Sequence, residues 1–291
     1  MIPAAFDYIA PHSLDEAVRA LAAHGENAKL LAGGHSLLPL LKLRLANPTL
    51  LIDLGRISGL GEINEQDGKI AIGALATHYQ IESSELLKKR CPLLPETARE
   101  IGDVQVRNRG TIGGSLTHAD PAADWPAAIL ALSGELELRG PKGKRTIGAE
   151  QFFLGPMTTA IEPNEILTEI RVPITSRRTG SAYQKMAQQA SGYAIVGVAA
   201  SVRLDSKGRC DEIGIGVTGL SDKAFRARAA EERLRGNKVT AKLIEDSAAR
   251  VADGIEPLED LHANGEFRAH LARVYAARAI QDAVKRATSR R

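Results

Sequence analysis

The chain has 291 residues, which is long enough for two domains of ordinary size. Hydrophobic residues make up 44% of it and charged residues 25%, a balance that is typical of a folded protein and argues against a disordered one. Its 38 basic and 35 acidic residues are interspersed and leave a net charge of +3, which argues against a nucleic-acid-binding surface. We expect the basic residues 285–291 to form a solvated helix terminus.

Helix and strand patterns follow one another irregularly in the first half of the chain. Ser13 and Glu16 form a capping-box pattern before a helix that stops at Gly25. Strands are predicted over residues 29–32, 50–54, 69–72 and 135–139, and helices from residue 37 and over residues 92–101 and 126–132. Because strand and helix do not alternate regularly, an α+β fold is favoured over a doubly wound sheet.

A cluster of Pro, Ser, Thr and Gly at residues 173–180 predicts a boundary between domains of residues 1–176 and 177–291. Strands are predicted over residues 181–186, 193–204 and 210–218, the last two joined by a hairpin-like turn. Helices are predicted over residues 225–235 and 239–253 and in a long final helix. The second domain is thus expected to be a small α+β domain, an antiparallel sheet packed on helices. The core-facing stripe of its final helix is predicted to comprise Phe267, Leu271, Val274, Ala277, Ile280 and Val284.

The cysteines and histidines predict no metal site in this chain. Cys91 and Cys210 cannot supply the four thiolates of an all-cysteine iron–sulfur cluster, and they read as reduced thiols of a cytoplasmic protein. The sequence shows no secretory signal, and no apolar stretch approaches the roughly 20 residues of a membrane span. No metal-ligand spacing relates the seven histidines, most of which are expected to be surface or satisfied polar residues: His12, His24, His35, His78, His118, His262 and His270.

Two glycine pairs occur in similar contexts. Consecutive glycines can adopt positive φ and let an anion reach several backbone N–H groups. Ser36 and Ser115 add hydroxyl donors, and a helix after Ser36 would turn its positive end toward the anion. Either pair alone could be only a turn, but together they favour a pyrophosphate site. The segments are Ala32-Gly33-Gly34-His35-Ser36 and Thr111-Ile112-Gly113-Gly114-Ser115.

Residues 214–219 match the G-x-G-x-x-G dinucleotide pattern literally. That pattern applies between a parallel strand and a helix, with an acidic residue about 20 positions further on. Here the preceding element belongs to a hairpin, and residues 237–240 contain no acid. The segment is therefore predicted to be a glycine-rich strand.

Asp124 follows the second glycine pair and precedes an apolar helix. Its carboxylate could accept a hydrogen bond from a ribose or adenine-side group, as acids do in nucleotide sites. It could equally be the N-cap of the helix that carries Pro126 near its first position. The residue types leave both readings open. Tyr193, at the start of an apolar strand, reads on composition as a packing residue.

Taken together, these motifs make the chain similar to the FAD-binding medium subunits of molybdenum hydroxylases. That family includes the medium chain of aerobic carbon monoxide dehydrogenase and the flavin domain of xanthine dehydrogenase. The similarity runs nearly from end to end, and the two glycine motifs followed by Asp-Pro are its most specific part. The matching segments are residues 2–3, 6–8, 31–39, 105–115, 120–121, 124, 126–127 and 165–173.

The resemblance implies a vanillyl-alcohol-oxidase-type (PCMH-type) FAD-binding domain, followed by a C-terminal domain of the carbon monoxide dehydrogenase flavoprotein type. It implies that both glycine segments hold the FAD pyrophosphate, that Asp124 contacts the nucleotide, and that Leu167, Lys185 and Tyr193 lie near the flavin ring. Gly192 stands where many relatives have Asp, and Ser115 where Asn is common. The implied FAD-binding residues are Ala32, Gly33, Gly34, His35, Ser36, Leu37, Thr111, Ile112, Gly113, Gly114, Ser115, Asp124, Leu167, Lys185 and Tyr193.

The resemblance further implies an electron-transfer subunit. A large molybdopterin-binding subunit would hydroxylate the substrate, and a small subunit with [2Fe–2S] clusters would pass electrons to this FAD and on to an external acceptor. The three subunits would form a heterotrimer that dimerises, and no residue of this chain need act as an acid or base. The alternatives are a self-contained flavin oxidoreductase on the same fold and a non-catalytic nucleotide-binding assembly protein.

Overall fold

The computed structural model describes residues 1–289; Arg290 and Arg291, the end of the predicted basic helix terminus, lie outside the described residues. The first part of the chain, residues 1–173, forms ten strands and nine α-helices. In chain order these are β1 (Asp7–Ile9), α1 (Leu14–His24), β2 (Ala28–Leu31), α2 (Leu37–Lys42), β3 (Leu50–Asp53), β4 (Ile63–Gln66), β5 (Lys69–Gly73), α3 (His78–Ser83), α4 (Glu85–Arg90), α5 (Leu93–Arg99), α6 (Val104–Arg109), α7 (Ile112–His118), α8 (Asp124–Ala131), β6 (Glu135–Gly140), β7 (Gly143–Gly148), α9 (Ala149–Phe152), β8 (Phe153–Gly155), β9 (Thr158–Thr159) and β10 (Ile166–Pro173).

The N-terminal lobe is a parallel sheet of order β1-β3-β2 with α1 packed beside it. Ser13 caps α1 by accepting a hydrogen bond from the Glu16 backbone N–H, as the sequence predicts. The Glu16 carboxylate accepts from the His12 N–H instead of closing the capping box on Ser13. Side chains of α1, the sheet and Ile166 form a small apolar core of this lobe.

A larger antiparallel sheet of order β4-β5-β10-β6-β7 forms the second lobe. Helices α3–α5, α7 and α8 contribute side chains to its core, and Trp125 and Phe152 are among the largest fully buried side chains. A β-bulge interrupts β10 between Leu167 and Glu169. Because successive side chains of a strand point to opposite faces, Ile166 belongs to the core of the N-terminal lobe and Leu167 to the core of the second lobe.

The rest of the described chain forms an antiparallel sheet of order β11-β12-β13-β14 that packs on helices, as predicted. Gly214 and Gly216 lie on β13, so the glycine-rich strand is confirmed. A Cβ at these positions would lie 2.1 Å from the Ala131 carbonyl oxygen and 2.0 Å from that of Ala127, so the glycines let α8 rest on this sheet. The elements are β11 (Thr179–Ala187), β12 (Ala194–Leu204), β13 (Cys210–Thr218), β14 (Phe225–Arg226), α10 (Arg228–Leu234), α11 (Ala241–Ala248) and α12 (Gly265–Ser289).

Two sequence-based expectations in this part are wrong. Phe225 and Arg226 pair with β13 as a short strand, and the helix begins only at Arg228. The core-facing stripe of α12 is shifted, because Phe267 is 44% exposed while Leu271 and Ile280 are buried beside a row of alanines. Small residues are needed there because α12 lies very close to the sheet: a Cβ on Gly180 would be 2.1 Å from the Ala283 carbonyl oxygen.

The fold is α+β, with antiparallel sheets and helices and one small parallel sheet, as the sequence predicts. Among residues 1–289, no helix is both long enough and apolar enough to span a membrane.

Candidate functional site

A cavity of about 560 Å³ lies where the two lobes of the first part meet the segment that leads into β12. Its walls come from the β2–α2 loop, from the stretch between β5 and α8, and from residues 191–193. The lining combines apolar side chains with hydroxyl, imidazole and carboxylate groups. The apolar side chains are Leu30, Leu37, Leu40, Leu54, Leu75, Ile101, Val106, Ile166 and Leu167.

The first glycine segment, residues 32–36, borders this cavity along its whole length. Gly34 has φ of 79°, in the left-handed region that favours glycine. The backbone N–H groups of residues 33–36 donate to no other group of residues 1–289. Buried backbone donors are nearly always paired, so a run of unpaired N–H groups around a cavity is suited to binding an anion.

The second glycine segment behaves differently from the sequence-based expectation. Gly113 and Gly114 do not form a loop with positive φ but lie in the first turn of α7, which Thr111 caps through the Gly114 N–H. The N–H groups of Ile112, Gly113 and Ser115 donate to the carbonyls of Ala76, Ala74 and Thr111. This segment therefore offers the cavity its side-chain hydroxyls and the Thr111 N–H rather than a row of N–H groups.

The two segments can lie close together because glycines at their contact points have no Cβ atom. A Cβ on Gly33 would lie 2.2 Å from the Arg109 carbonyl oxygen and 2.8 Å from Gly110 Cα, so only glycine lets the first loop rest on the residues before α7. At Gly113 a Cβ would lie 2.5 Å from the Ala74 Cβ. These glycines are thus needed for contacts within the protein, and those contacts bring both segments to one cavity.

Asp124 lines the cavity but is not an N-cap. The cap of α8 is Ala123, and Asp124 is the first helical residue, with a side chain that is 5% exposed. Its Oδ1 accepts from the Tyr183 hydroxyl at 2.5 Å and lies 2.9 Å from Lys185 Nζ. Burial raises the pKa of the Asp124 carboxyl above its ordinary value, while Lys185 and Tyr183 oppose that rise. The N-cap reading is wrong because the carboxylate turns inward to these two partners.

Lys185 lies behind the cavity wall rather than on it, with a side chain that is 1% exposed. Besides pairing with Asp124, its ammonium donates to the carbonyls of Glu100 at 2.6 Å and Gly192 at 2.7 Å. All three of its N–H groups are therefore engaged. Lys185 ties the segment before Tyr193 to helix α8 and to the end of α5.

Tyr193 precedes β12 and is 41% exposed at the cavity. Its side chain is thus not a core packing residue. Partial burial, with the charges of Asp120 and Asp124, raises the pKa of its hydroxyl, which is neutral at physiological pH. Leu167, at the bulge of β10, is one of the apolar side chains that line the same cavity.

Among the residues implied to bind FAD, all but Ile112 and Lys185 line the cavity. Ile112 is fully buried in the core of the second lobe. Sequence reasoning missed His78 and His118, which also line the cavity and which were expected to be surface or satisfied polar residues. His78 is 4% exposed, and burial, with His35 and Arg107 nearby, lowers its pKa to about 4. The Thr77 capping box gave a local signal for the start of α3, but none for the tertiary contact that His78 makes.

Cys91 and Cys210 are free and buried, and burial raises the pKa of the Cys91 thiol to about 12 and that of Cys210 to about 11. Both are therefore thiols rather than thiolates at neutral pH. Across the part of the chain that the structure describes, no group of three or more His, Cys, Asp or Glu residues could hold a metal ion.

Two sequence families match this chain. Residues 4–175 match the family described as the FAD binding domain in molybdopterin dehydrogenase. Residues 181–283 match the CO dehydrogenase flavoprotein C-terminal domain. Together the two matches cover most of the chain.

The relatives match it along nearly their whole length. The chain is 41% identical to the carbon monoxide dehydrogenase medium chain of Hydrogenophaga pseudoflava, over 97% of this chain and 98% of that one. It is 37% identical to the 6-hydroxypseudooxynicotine dehydrogenase complex subunit alpha of Paenarthrobacter nicotinovorans, over 99% and 97% of the two chains. A solved structure of carbon monoxide dehydrogenase from Hydrogenophaga pseudoflava, lacking the Mo-pyranopterin moiety, has a chain with a TM-score of 0.95 and 42% identity, covering 98% of this chain and 99% of that chain.

Proposed function

This chain belongs to the FAD-binding family of molybdopterin dehydrogenases and is an FAD-containing oxidoreductase subunit, and on that premise we propose that it carries electrons from a partner subunit to an external acceptor. The donors are [2Fe–2S] clusters of a small subunit, which receive electrons from a large molybdopterin-binding subunit. The three chains form a heterotrimer that dimerises. The names of the relatives, which include a medium chain and a subunit of a dehydrogenase complex, support a multi-subunit assembly.

The unpaired N–H groups of residues 33–36 are the observation that carries the proposed site. A diphosphate needs several converging donors, and this loop offers them at the edge of the cavity. The apolar side chains that line the same cavity suit a ring system that is shielded from water. The residues present therefore fit FAD, which supplies the redox chemistry when it is bound.

The chain's own residues bind and orient the cofactor in this proposal. Residues 33–36 bind the diphosphate through their N–H groups, with Ala32 and Leu37 beside them in the cavity lining, and Thr111 and Ser115 add polar contacts from the start of α7. Leu167 and Tyr193 border the flavin, and Lys185 positions Tyr193 from behind. Asp124 contacts the nucleotide side only with the oxygen that Tyr183 and Lys185 leave unused. We propose no acid or base, because this carboxylate is already committed to two partners.

We also propose a division into an FAD-binding domain of residues 1–176 and a C-terminal domain of residues 177–291. The family matches, which end at residue 175 and resume at residue 181, support it. So does the absence of regular structure, in the described chain, between Pro173 and Thr179. The buried free thiols are consistent with a cytoplasmic location, which is part of the same proposal.

The function is tested by what purifies with the chain and by which cofactor each part holds. We expect the affinity-tagged chain, isolated from its native host, to bring down two further subunits, with molybdenum and iron in the complex. Separated from them, the chain should keep FAD and contain neither metal in stoichiometric amount. In the complex, removing the flavin should abolish reduction of the external acceptor while substrate still reduces the iron–sulfur clusters.

The other candidate functions give different outcomes in that experiment. A self-contained flavin oxidoreductase would reduce its flavin with substrate when no other subunit is present. A non-catalytic nucleotide-binding protein would carry no reducible flavin. Stoichiometric iron in the separated chain would contradict the assignment of roles.

We expect Tyr193→Ala to leave FAD bound but to change the environment of the flavin. The diphosphate donors lie elsewhere, so FAD stoichiometry should stay at the wild-type value. Loss of the ring admits water, which stabilises charged reduced flavin and raises its reduction potential by about 30 mV, or ~1.4 kcal/mol for a two-electron couple. Flavin fluorescence and a redox titration measure this.

The matched control for Tyr193 is Tyr79→Ala, since Tyr79 is 49% exposed and is not part of the cavity wall. It should leave both fluorescence and potential unchanged. A Tyr193→Ala chain that loses stability while its flavin keeps the wild-type potential and fluorescence would make Tyr193 a structural residue.

A further inference from the structure

His78 is a buried side chain at the start of α3 whose ring lies against the single tryptophan of the chain. Trp125 Nε1 donates to His78 Nδ1 at 3.0 Å, and the two ring centroids are 5.9 Å apart. The indole N–H can only donate, so Nδ1 must be the unprotonated nitrogen of the imidazole. The hydrogen of the neutral ring is therefore on Nε2.

The imidazole of His78 cannot readily move its hydrogen from Nε2 to Nδ1 or gain a second proton. A proton on Nδ1 would point at the Trp125 N–H, and the ring has little water around it. Its low pKa, which burial causes together with His35 and Arg107, agrees with a ring that stays neutral. His78 is thus a fixed donor at Nε2.

His78 Nε2 opens onto the cavity. It has no hydrogen-bond partner among residues 1–289, and it is not one of the sealed, unpaired atoms of that part of the chain. Only glycine fits at position 110 beside this atom, because a Cβ there would lie 2.6 Å from Nε2. The backbone N–H of His78 donates to the Gly110 carbonyl at 2.9 Å, which fixes the position of His78 relative to Gly110.

The neighbours of Nε2 indicate which part of a ligand it meets. Gly110 is a neighbour of both Nε2 and the first glycine loop, since a Cβ on Gly33 would lie 2.8 Å from Gly110 Cα. Nε2 therefore lies beside the loop whose N–H groups are unpaired. An acceptor bound by residues 33–36 is within the neighbourhood of this donor.

We propose that His78 is a diphosphate-binding residue of the FAD site, with Trp125 as the residue that positions it by fixing its tautomer. The Nε2–H group donates to a phosphate oxygen of FAD and adds one donor to those of the first glycine loop. Because the imidazole is neutral, it donates a directional hydrogen bond to the phosphate without adding a positive charge. This inference rests on the proposed FAD site.

Two substitutions separate the two nitrogens of the ring. In His78→Asn the amide oxygen stands near the place of Nδ1 and still accepts from Trp125, but nothing reaches the cavity. In His78→Gln an amide N–H can reach the place of Nε2. We expect the full chain, freed of flavin and titrated with FAD, to bind about tenfold to a hundredfold more weakly as the Asn variant. The Gln variant should stay within about threefold of wild type.

A second measurement needs no variant. In the wild-type chain labelled with nitrogen-15 at histidine, His78 should show the Nε2–H form before FAD is added, and its Nε2 shift should move on binding. A stable Asn variant with wild-type affinity for FAD, or a His78 that carries its hydrogen on Nδ1 or whose Nε2 shift is indifferent to FAD, would overturn the role of His78. A wild-type chain that binds no FAD would instead overturn the proposed site, and His78 with it.

Discussion

Replacing Gly33 by alanine is expected to yield a folded chain that is purified without FAD. The new Cβ would stand 2.2 Å from the Arg109 carbonyl oxygen and 2.8 Å from Gly110 Cα, and both contacts are backbone, which cannot turn away. The first glycine loop must then move off the residues before α7. Its N–H groups lose their common direction, and a loss of even two charge-assisted hydrogen bonds lowers the affinity at least ~100-fold.

The flavin content of the purified variant, read from its absorption spectrum, measures this effect. Gly155→Ala is the matched control, because Gly155 does not have positive φ and a Cβ there would meet nothing within 4 Å. It should keep FAD at the wild-type stoichiometry. A Gly33→Ala chain that keeps FAD at the same stoichiometry would show that the cavity beside this loop does not hold the diphosphate.

Much of the fold could be predicted because its signals are local. The strands β11, β12 and β13 are apolar runs between turn residues. Helix α1 has a capping residue at its start, Ser13, and a glycine at its end, Gly25. Each of these patterns is complete within about ten residues. The structure reproduces them to within two residues at most ends.

Packing distance is what the sequence could not supply. A stripe of large residues on α12 looks like its core face only if the helix stands at an ordinary distance from its sheet. Gly180 brings the two so close that alanines such as Ala283 face the sheet there, while Phe267, near the other end of α12, is 44% exposed. Neither fact has a local signature.

The site was predictable as a pair of motifs but not as a set of contacts. The sequence indicated which glycine segments come together, yet both were expected to present a row of N–H groups, and only the first segment does so, at residues 33–36. Most N–H groups of the second segment donate to protein acceptors, either at the start of α7 or at residues 74–76 between β5 and α3. The pairing of His78 with Trp125 joins residues 47 positions apart, and no spacing rule reports it.

The pair of Lys185 and Asp124 leads to the second large expected effect. Lys185→Met should destabilise the chain by about 3–5 kcal/mol at neutral pH, because it leaves a buried carboxylate with only the Tyr183 hydroxyl. It also leaves the carbonyls of Glu100 and Gly192 without their donor. Lys88→Met is the control: Lys88 pairs with Glu85 on the surface, with side chains 43% and 75% exposed, and its loss should cost about 0–1 kcal/mol.

The pH dependence of this loss has a definite sign. The pKa of Asp124 is already raised in the folded chain above its ordinary 3.8, by burial and in part by Glu100, and removing Lys185 raises it further. A carboxyl with a raised folded pKa binds its proton more tightly folded than unfolded, so its stabilising contribution is fully present below 3.8 and is lost as pH rises through the folded value. The Lys185→Met chain should therefore recover stability relative to wild type as pH falls toward 4.

Chemical denaturation at pH 5 and pH 8 measures this pH dependence. Asp124→Asn in the same chain should restore most of the loss at pH 8, because it removes the buried charge while keeping an acceptor for Tyr183. A loss that is equal at both pH values and is not relieved by Asp124→Asn would mean that Lys185 stabilises the fold through the carbonyls of Glu100 and Gly192 rather than through the carboxylate.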